Sequence, residues 1–285
     1  MSTHRYFPPA PDHVPAELIH EFDIYRFSPG VNDPLEQWGS VLASDAPRIF
    51  YTHHNGGHWV FLDYEDVREG FRNDALFSTF QTPIPPIEPY PVMQPQGVDP
   101  PEHKKFRSLL APLFTPVAVE KMRAELQHRS VALMEPFVAS GRCEFGRDFA
   151  SLLPTGMFLH LMGMPEDRLT EFVHLAEVFM RSNDDVERAT NIQQIYTVIG
   201  EYLAWRATRL GEDLGSVLVT ARDEHGEPCA QQDILNCGFL LFVAGLDTVT
   251  STMTFIWRHL ARNHAARRAL TAIIDDREKL SVAVD

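Results

Sequence analysis

Apolar and polar positions follow a strand-like pattern in one short stretch near the front, then settle into long helical runs. Residues 49–62 read as a hairpin: Ile49-Phe50-Tyr51, a turn at Asn55-Gly56-Gly57, then Trp59-Val60-Phe61-Leu62. Glycines at such a turn allow the positive φ that tight hairpins need. Later the pattern predicts helices over 100–113, 116–140, 166–181, 184–210 and 231–263, punctuated by Gly141, Pro154, Gly163-Met164-Pro165 and Gly226. Residues 80–101 hold eight prolines. They read as a long ordered loop, and such a loop inside a compact protein is often functional. No internal repeat or low-complexity linker interrupts the chain. The prediction is a single, mainly α domain over 1–285 with a small β element near its start.

The helix over 231–263 is the most informative. From Ile234 to Val249 it is almost continuously apolar, broken by Asn236, Asp247 and Thr248. A helix that is hydrophobic all round is expected to be buried all round. At 1.5 Å per residue it makes a rod of about 50 Å, long enough to cross the molecule.

Composition narrows the function classes. Of 285 residues 44% are hydrophobic and 22% charged, the balance of a folded globular protein. A net charge of −14 lacks the basic footprint of a nucleic-acid binder and suits a cytoplasmic protein. The proline-rich start has no apolar core of a signal peptide, and the longest apolar stretch, 238–246, is too short to span a bilayer, so no membrane attachment is expected. Cys143, Cys229 and Cys237 form no zinc or disulfide framework.

Three groups of residues bear on chemistry. In Asp99-Pro100-Pro101-Glu102-His103-Lys104-Lys105-Phe106-Arg107, Asp99 reads as a helix N-cap with Glu102 completing a capping box. His103 and Arg107, four apart, share one helix face and can grip a carboxylate together; a plain solvated basic face is the competing reading. In Ala244-Gly245-Leu246-Asp247-Thr248, a glycine that costs a helix about 1 kcal/mol calls for a packing or binding reason. The carboxylate and hydroxyl beside it need partners in an apolar rod. Thr248 can bond the Ala244 carbonyl, and a helix kink is the competing reading. His53, His54 and His58 flank the hairpin turn without acidic or cysteine companions, and read as an exposed turn rather than a metal site.

Together these residues resemble the cytochrome P-450 superfamily, in particular its soluble bacterial camphor-hydroxylase type. The run from Asp99 to Arg107, followed by Phe114-Thr115-Pro116, is similar to the family's C-helix signature, and Ala244 to Thr248 to its oxygen-binding I-helix motif. Asn55-Gly56-Gly57-His58-Trp59, and the stretch from Pro11-Asp12-His13-Val14-Pro15 to Phe22-Asp23, resemble the camphor-type subgroup more narrowly.

The resemblance implies a haem b enzyme that inserts one oxygen atom from O2 into a small apolar, terpenoid-like substrate. Its electrons would come from a 2Fe–2S ferredoxin and its reductase, and the protein would be a cytoplasmic monomer. His103 and Arg107 would hold a haem propionate, and Ala244 and Gly245 would border the haem and oxygen. Asp247 and Thr248 would manage water and protons where oxygen is activated. Tyr90, Met93, Leu240 and Val243 would line the substrate site, with Pro91 rather than a tyrosine at the camphor-binding position. Lys104 and Lys105 would receive the ferredoxin. The family's Glu-x-x-Arg motif, expected almost at Asp285, is not found there, and its haem-ligating F-x-x-G-x-x-x-C-x-G motif does not occur in the chain. Cys237 lies on the central helix, about 16 Å along it from Thr248, and none of the three cysteines has the flanks of an axial ligand. The expectation is therefore a C-terminally truncated and inactive fold. A shortened, non-enzymatic homologue serving as an interaction module is the alternative.

Overall fold

The computed structural model describes residues 9–26, 33–80, 83–85, 91–182, 184–223 and 225–284. The chain divides into two compact units, Met1–Val92 with Gln96–Lys104, and Met93–Pro95 with Lys105–Asp285.

The first unit is built on the expected hairpin. Strands β1 (Ile49–Thr52) and β2 (His58–Phe61) pair antiparallel with Ile49 opposite Phe61 and Thr52 opposite His58. Asn55, Gly56 and Gly57 all have positive φ. At Gly57 a side chain is impossible as the turn stands, because a Cβ would sit 2.1 Å from the Tyr51 hydroxyl. The chain before the hairpin runs beside β1, with His20 N–H donating to the Tyr51 carbonyl at 2.9 Å. Phe22, Phe50 and Val60 form the core, joined by Val41 from α1 (Pro34–Leu42). Helix α2 (Tyr64–Arg72) follows, its N-terminus capped by the Asp63 carboxylate. Neither helix belongs to the predicted set, although Asp63 before a polar-apolar run is a legible start signal.

The histidines depart from expectation. His54 is not an exposed turn residue: its Nε2 lies 2.8 Å from Glu21 and its Nδ1 3.6 Å from Asp23, carboxylates supplied by a remote part of the chain. Both ring nitrogens of His58 are shielded from water. Burial lowers the His58 pKa, outweighing the opposing pull of the His54 backbone and the Asp23 carboxylate. A histidine whose folded pKa lies below its unfolded value of about 6.5 supports the fold fully above that pH and opposes it as pH falls through it. The melting temperature of the parent should therefore fall more than that of His58→Gln between pH 7.5 and pH 5.5. Parallel losses in the two proteins would contradict this assignment.

The second unit is helical. It comprises α4 (Pro116–Ser140), α5 (Leu152–Met162), α6 (Leu169–Arg181), α7 (Asp185–Ala207), α8 (Leu214–Val219), α9 (Gln231–Arg262), α10 (His264–Ala272) and α11 (Arg277–Val284); α3 (Glu102–Leu110) leads into it. Gly141 and Gly163 close α4 and α5 in the left-handed conformation, as C-terminal glycines do. Pro154, expected to break a helix, sits instead in the first turn of α5, where its missing N–H has no partner to lose. Asn263 ends α9 and caps α10, accepting from the N–H groups of Ala265 and Ala266.

Helix α9 packs against α5, α6, α7 and α8. Phe242 meets Phe158 and Phe172 with ring centres 5.8 and 5.4 Å apart. Phe239 stacks on Tyr196 at 4.7 Å. Helix α7 comes so close that a Cβ on Gly238 would fall 2.7 Å from Ile199. Asn236 is satisfied within this core by Tyr196 Oη and Gln232 Nε2, at 3.1 and 3.0 Å. The helix is nevertheless not buried all round: Ala244, Thr248, Val249, Thr252 and Phe255 lie on an exposed face. The expectation that no segment could span a bilayer also needs correction, because α9 is long and apolar enough by length and composition. Helix α9 packs on four neighbouring helices along one side.

Candidate functional site

Helix α3 carries His103, Lys104, Lys105 and Arg107 within its first two turns. Phe106 and Leu110 are its buried residues and fix which side faces inward. The predicted cap is not formed by the Asp99 side chain. Its two oxygens are taken by Ser78 Oγ at 2.5 Å and Thr79 N–H at 2.8 Å, while only its backbone carbonyl meets α3, accepting from His103 N–H. The Ser78 hydroxyl and the Thr79 N–H hold the Asp99 carboxyl below its ordinary pKa. Asp99 thus anchors a preceding loop; a short polar residue before a helix carries the same local signature for either role. Lys104 is exposed, whereas Lys105 turns its ammonium toward Asp233 of α9 at 3.8 Å. Arg107 is exposed, His103 is half-buried, and neither forms an ion pair among the described residues.

A second group of candidate residues lies midway along α9. Thr248 Oγ1 donates to the Ala244 carbonyl at 2.7 Å, the bond its spacing predicts. It is one of a ladder: Thr250, Thr252 and Thr254 each reach back to the carbonyl four residues earlier, at 2.7, 2.8 and 2.8 Å. Such back-bonds compete with the helix's own carbonyl pairing, yet α9 is assigned as one continuous helix from Gln231 to Arg262. Thr250 also lies 2.9 Å from the carbonyl of Ala150, in the π turn Gly146–Ala150 before α5. Asp247 is 20% exposed and lies 3.6 Å from Arg181, the last residue of α6. Periodicity cannot reveal a partner so remote in sequence. A Cβ on Gly245 would meet only Phe158, at 3.8 Å. Packing therefore does not require this glycine.

The substrate-lining candidates divide. Tyr90 lies outside the described residues. Met93 and Leu240 are buried and Val243 is half-buried. A polar groove in the first unit, lined by His20, Glu21, Asp23, Ser40 and His54 among others, contains none of the candidate site residues.

These side chains fit a haem in part. His103 and Arg107 offer two donors on one helix face, the arrangement a propionate needs. The Ala244–Thr248 turn presents a small, exposed surface bearing a hydroxyl. An axial thiolate is not on offer: Cys143 is exposed, Cys229 and Cys237 are buried, and burial, ahead of the Asp233 charge, pushes the Cys237 thiol up to about 12. A thiol held neutral is a poor metal ligand.

Comparison with known proteins gives a consistent result. No family model matches the chain. It is 30% identical over 266 residues to the probable cytochrome P-450 127A1 of Sinorhizobium fredii, covering 90% of this chain and 63% of that protein. It is 26% identical over 226 residues to the cytochrome P-450 monooxygenase PikC of Streptomyces venezuelae, covering 77% and 54%. Among solved structures it superposes on CYP101J2 with a TM-score of 0.83 at 30% identity, and on the cytochrome P-450 CYP101C1 with 0.82 at 27%. Each superposition covers 93% of this chain and 66% of the other. The chain thus spans somewhat under two thirds of the relatives it matches.

Proposed function

We propose, from the premise that this chain belongs to the cytochrome P-450 superfamily, that it supplies the oxygen-activating face and one propionate clamp of a haem-thiolate monooxygenase acting on a small apolar substrate. Haem, when bound through a thiolate from outside these 285 residues, supplies the chemistry that splits dioxygen. The rest falls to side chains of this chain. Arg107 and His103 neutralise and orient a carboxylate. Thr248, its proton committed to the Ala244 carbonyl, keeps lone pairs with which to hold a water or protonated group on the open face of α9. Asp247 keeps a carboxylate one residue away, tethered by Arg181, where it can take and return a proton. The absence of a side chain at Gly245 leaves room for a small molecule beside them. Buried Met93 and Leu240 and half-buried Val243 suit an apolar substrate.

The observation that carries this reading is the Thr248–Ala244 bond beside the Asp247–Arg181 pair. Exposed Lys104 on a protein of net charge −14 makes α3 a local basic patch, which suits docking of an acidic 2Fe–2S ferredoxin. The same acidity suits a cytoplasmic monomer.

The test is Thr248→Ala in haem-loaded enzyme. Substrate affinity and oxygen consumption should stay near the parent values, while product formed per reductant consumed falls severalfold and peroxide rises. General acid–base assistance of this kind is worth roughly 10²–10⁴ in rate, ample to divert the reaction. Unchanged coupling would reduce Thr248 to a helix-internal hydroxyl.

A further inference from the structure

Asp233, in the first turn of α9, is approached by two segments remote from it in sequence. Gln94 donates from Nε2 to Asp233 Oδ1 at 3.2 Å, and Lys105 of α3 places its ammonium 3.8 Å from Oδ2. Gln94 is only 6% exposed, and its Oε1 is shielded from water with no hydrogen-bond partner among the described residues. The orientation of this buried amide therefore depends on Asp233. The carboxylate itself is partly withdrawn from water, its side chain 28% exposed.

We propose that Asp233 is a positioning residue whose single carboxylate ties the Met93–Pro95 segment and Lys105 of α3 to the start of α9, so that a change at one tie is felt at the other. The physical basis is charge. With Lys105 removed, a half-buried carboxylate loses its compensating cation and draws in water. The water enters where the Gln94 amide sits, and the segment loosens. With Gln94 displaced, Oδ1 loses its donor, the charge on the carboxylate is less shared, and Lys105 is held more firmly. This deepens the proposed function and rests on it for its meaning. Met93 borders the candidate substrate site and Lys105 belongs to the candidate docking helix, so movement of the substrate-lining segment would change how much positive charge α3 presents to a reductant.

Hydrogen–deuterium exchange on this chain reads the tie without haem, substrate or ferredoxin. In Lys105→Gln the amides of Met93 and Gln94 should exchange about fivefold faster, the low end of coupling between sites, because the change reaches them through Asp233. Amides in the middle of α5 should keep the parent rate and so report that the fold is intact. In the swapped pair Lys105→Glu/Asp233→Lys slow exchange should return, because Oε1 of Gln94 can then accept from the lysine at position 233. The isosteric Asp233→Asn should speed exchange both at Met93–Gln94 and along α3. An unchanged Met93–Gln94 rate in Lys105→Gln, or acceleration confined to only one of the two places in Asp233→Asn, would overturn the proposal. Failure of the Thr248→Ala test bears on the proposed function and leaves these exchange rates as they are, so the two can fail separately.

Discussion

Replacing Phe242 by alanine is expected to destabilise the helical unit by about 3–5 kcal/mol, the usual cost of removing a large aromatic from a packed core. Phe242 is fully buried and its ring meets those of Phe158 and Phe172, so truncation removes apolar area and two aromatic contacts together. The cavity would lie where α5, α6 and α9 meet, and rigid helices cannot collapse around it. Phe242→Leu keeps most of the volume and should cost much less, about 1–2 kcal/mol. Urea unfolding followed by fluorescence of Trp205 and Trp257, both in this unit, gives the comparison through the shift in midpoint at constant slope. A loss below about 1 kcal/mol for the alanine variant would mean that α9 is not the centre of this unit.

Removal of the α3 clamp should weaken haem retention rather than folding. Arg107 is exposed and forms no ion pair among the described residues, so Arg107→Ala breaks none of the protein's own ion pairs there. A charge-assisted hydrogen bond to a carboxylate is typically worth enough to change affinity roughly tenfold. Arg107→Ala should therefore raise the haem dissociation constant of a haem-binding protein carrying this sequence by about that factor, and His103→Ala/Arg107→Ala by more. Arg107→Lys should recover part of the loss, since a lysine supplies the charge without the planar fork. Haem transfer to an apo-globin acceptor, followed by absorbance, measures the change. Equal transfer rates for parent and double variant would return α3 to the status of a solvated basic face.

The elements that periodicity carries strongly are those the structure repeats. Asn55-Gly56-Gly57 specified a turn because these residues adopt its positive-φ backbone at little cost, and the long helices α4, α7 and α9 declared themselves by length, α4 also by Gly141 at its end. Short elements were less legible. Helices α1, α2, α10 and α11 are about two turns each, too short for a periodic signal to rise above local composition. Helix α5 was hidden by Pro154, whose meaning reverses between the first turn and the interior of a helix.

At the site, Thr248 could be placed because its partner is four residues away, whereas Arg181 beside Asp247 and Lys105 beside Asp233 depend on helices packing together. Asp99 was misassigned for the same reason: its local pattern fits a cap, but Ser78 and Thr79 compete for its carboxylate and win. The central helix was expected to be uniformly buried from its composition. Burial is set by neighbours, and α5 to α8 cover only one side of it.

The most direct test of the central claim is the carbon-monoxide difference spectrum of reduced, haem-loaded protein in which residues 1–285 are continued by a haem-ligating segment from one of the relatives. The expected result is the strongly shifted band that only a thiolate-ligated haem gives. The same band is expected after Cys143→Ser, Cys229→Ala and Cys237→Ala are combined, since the ligand is expected from the added segment. Folded, haem-replete protein without the band, or a band that disappears when the three cysteines are removed, would contradict it.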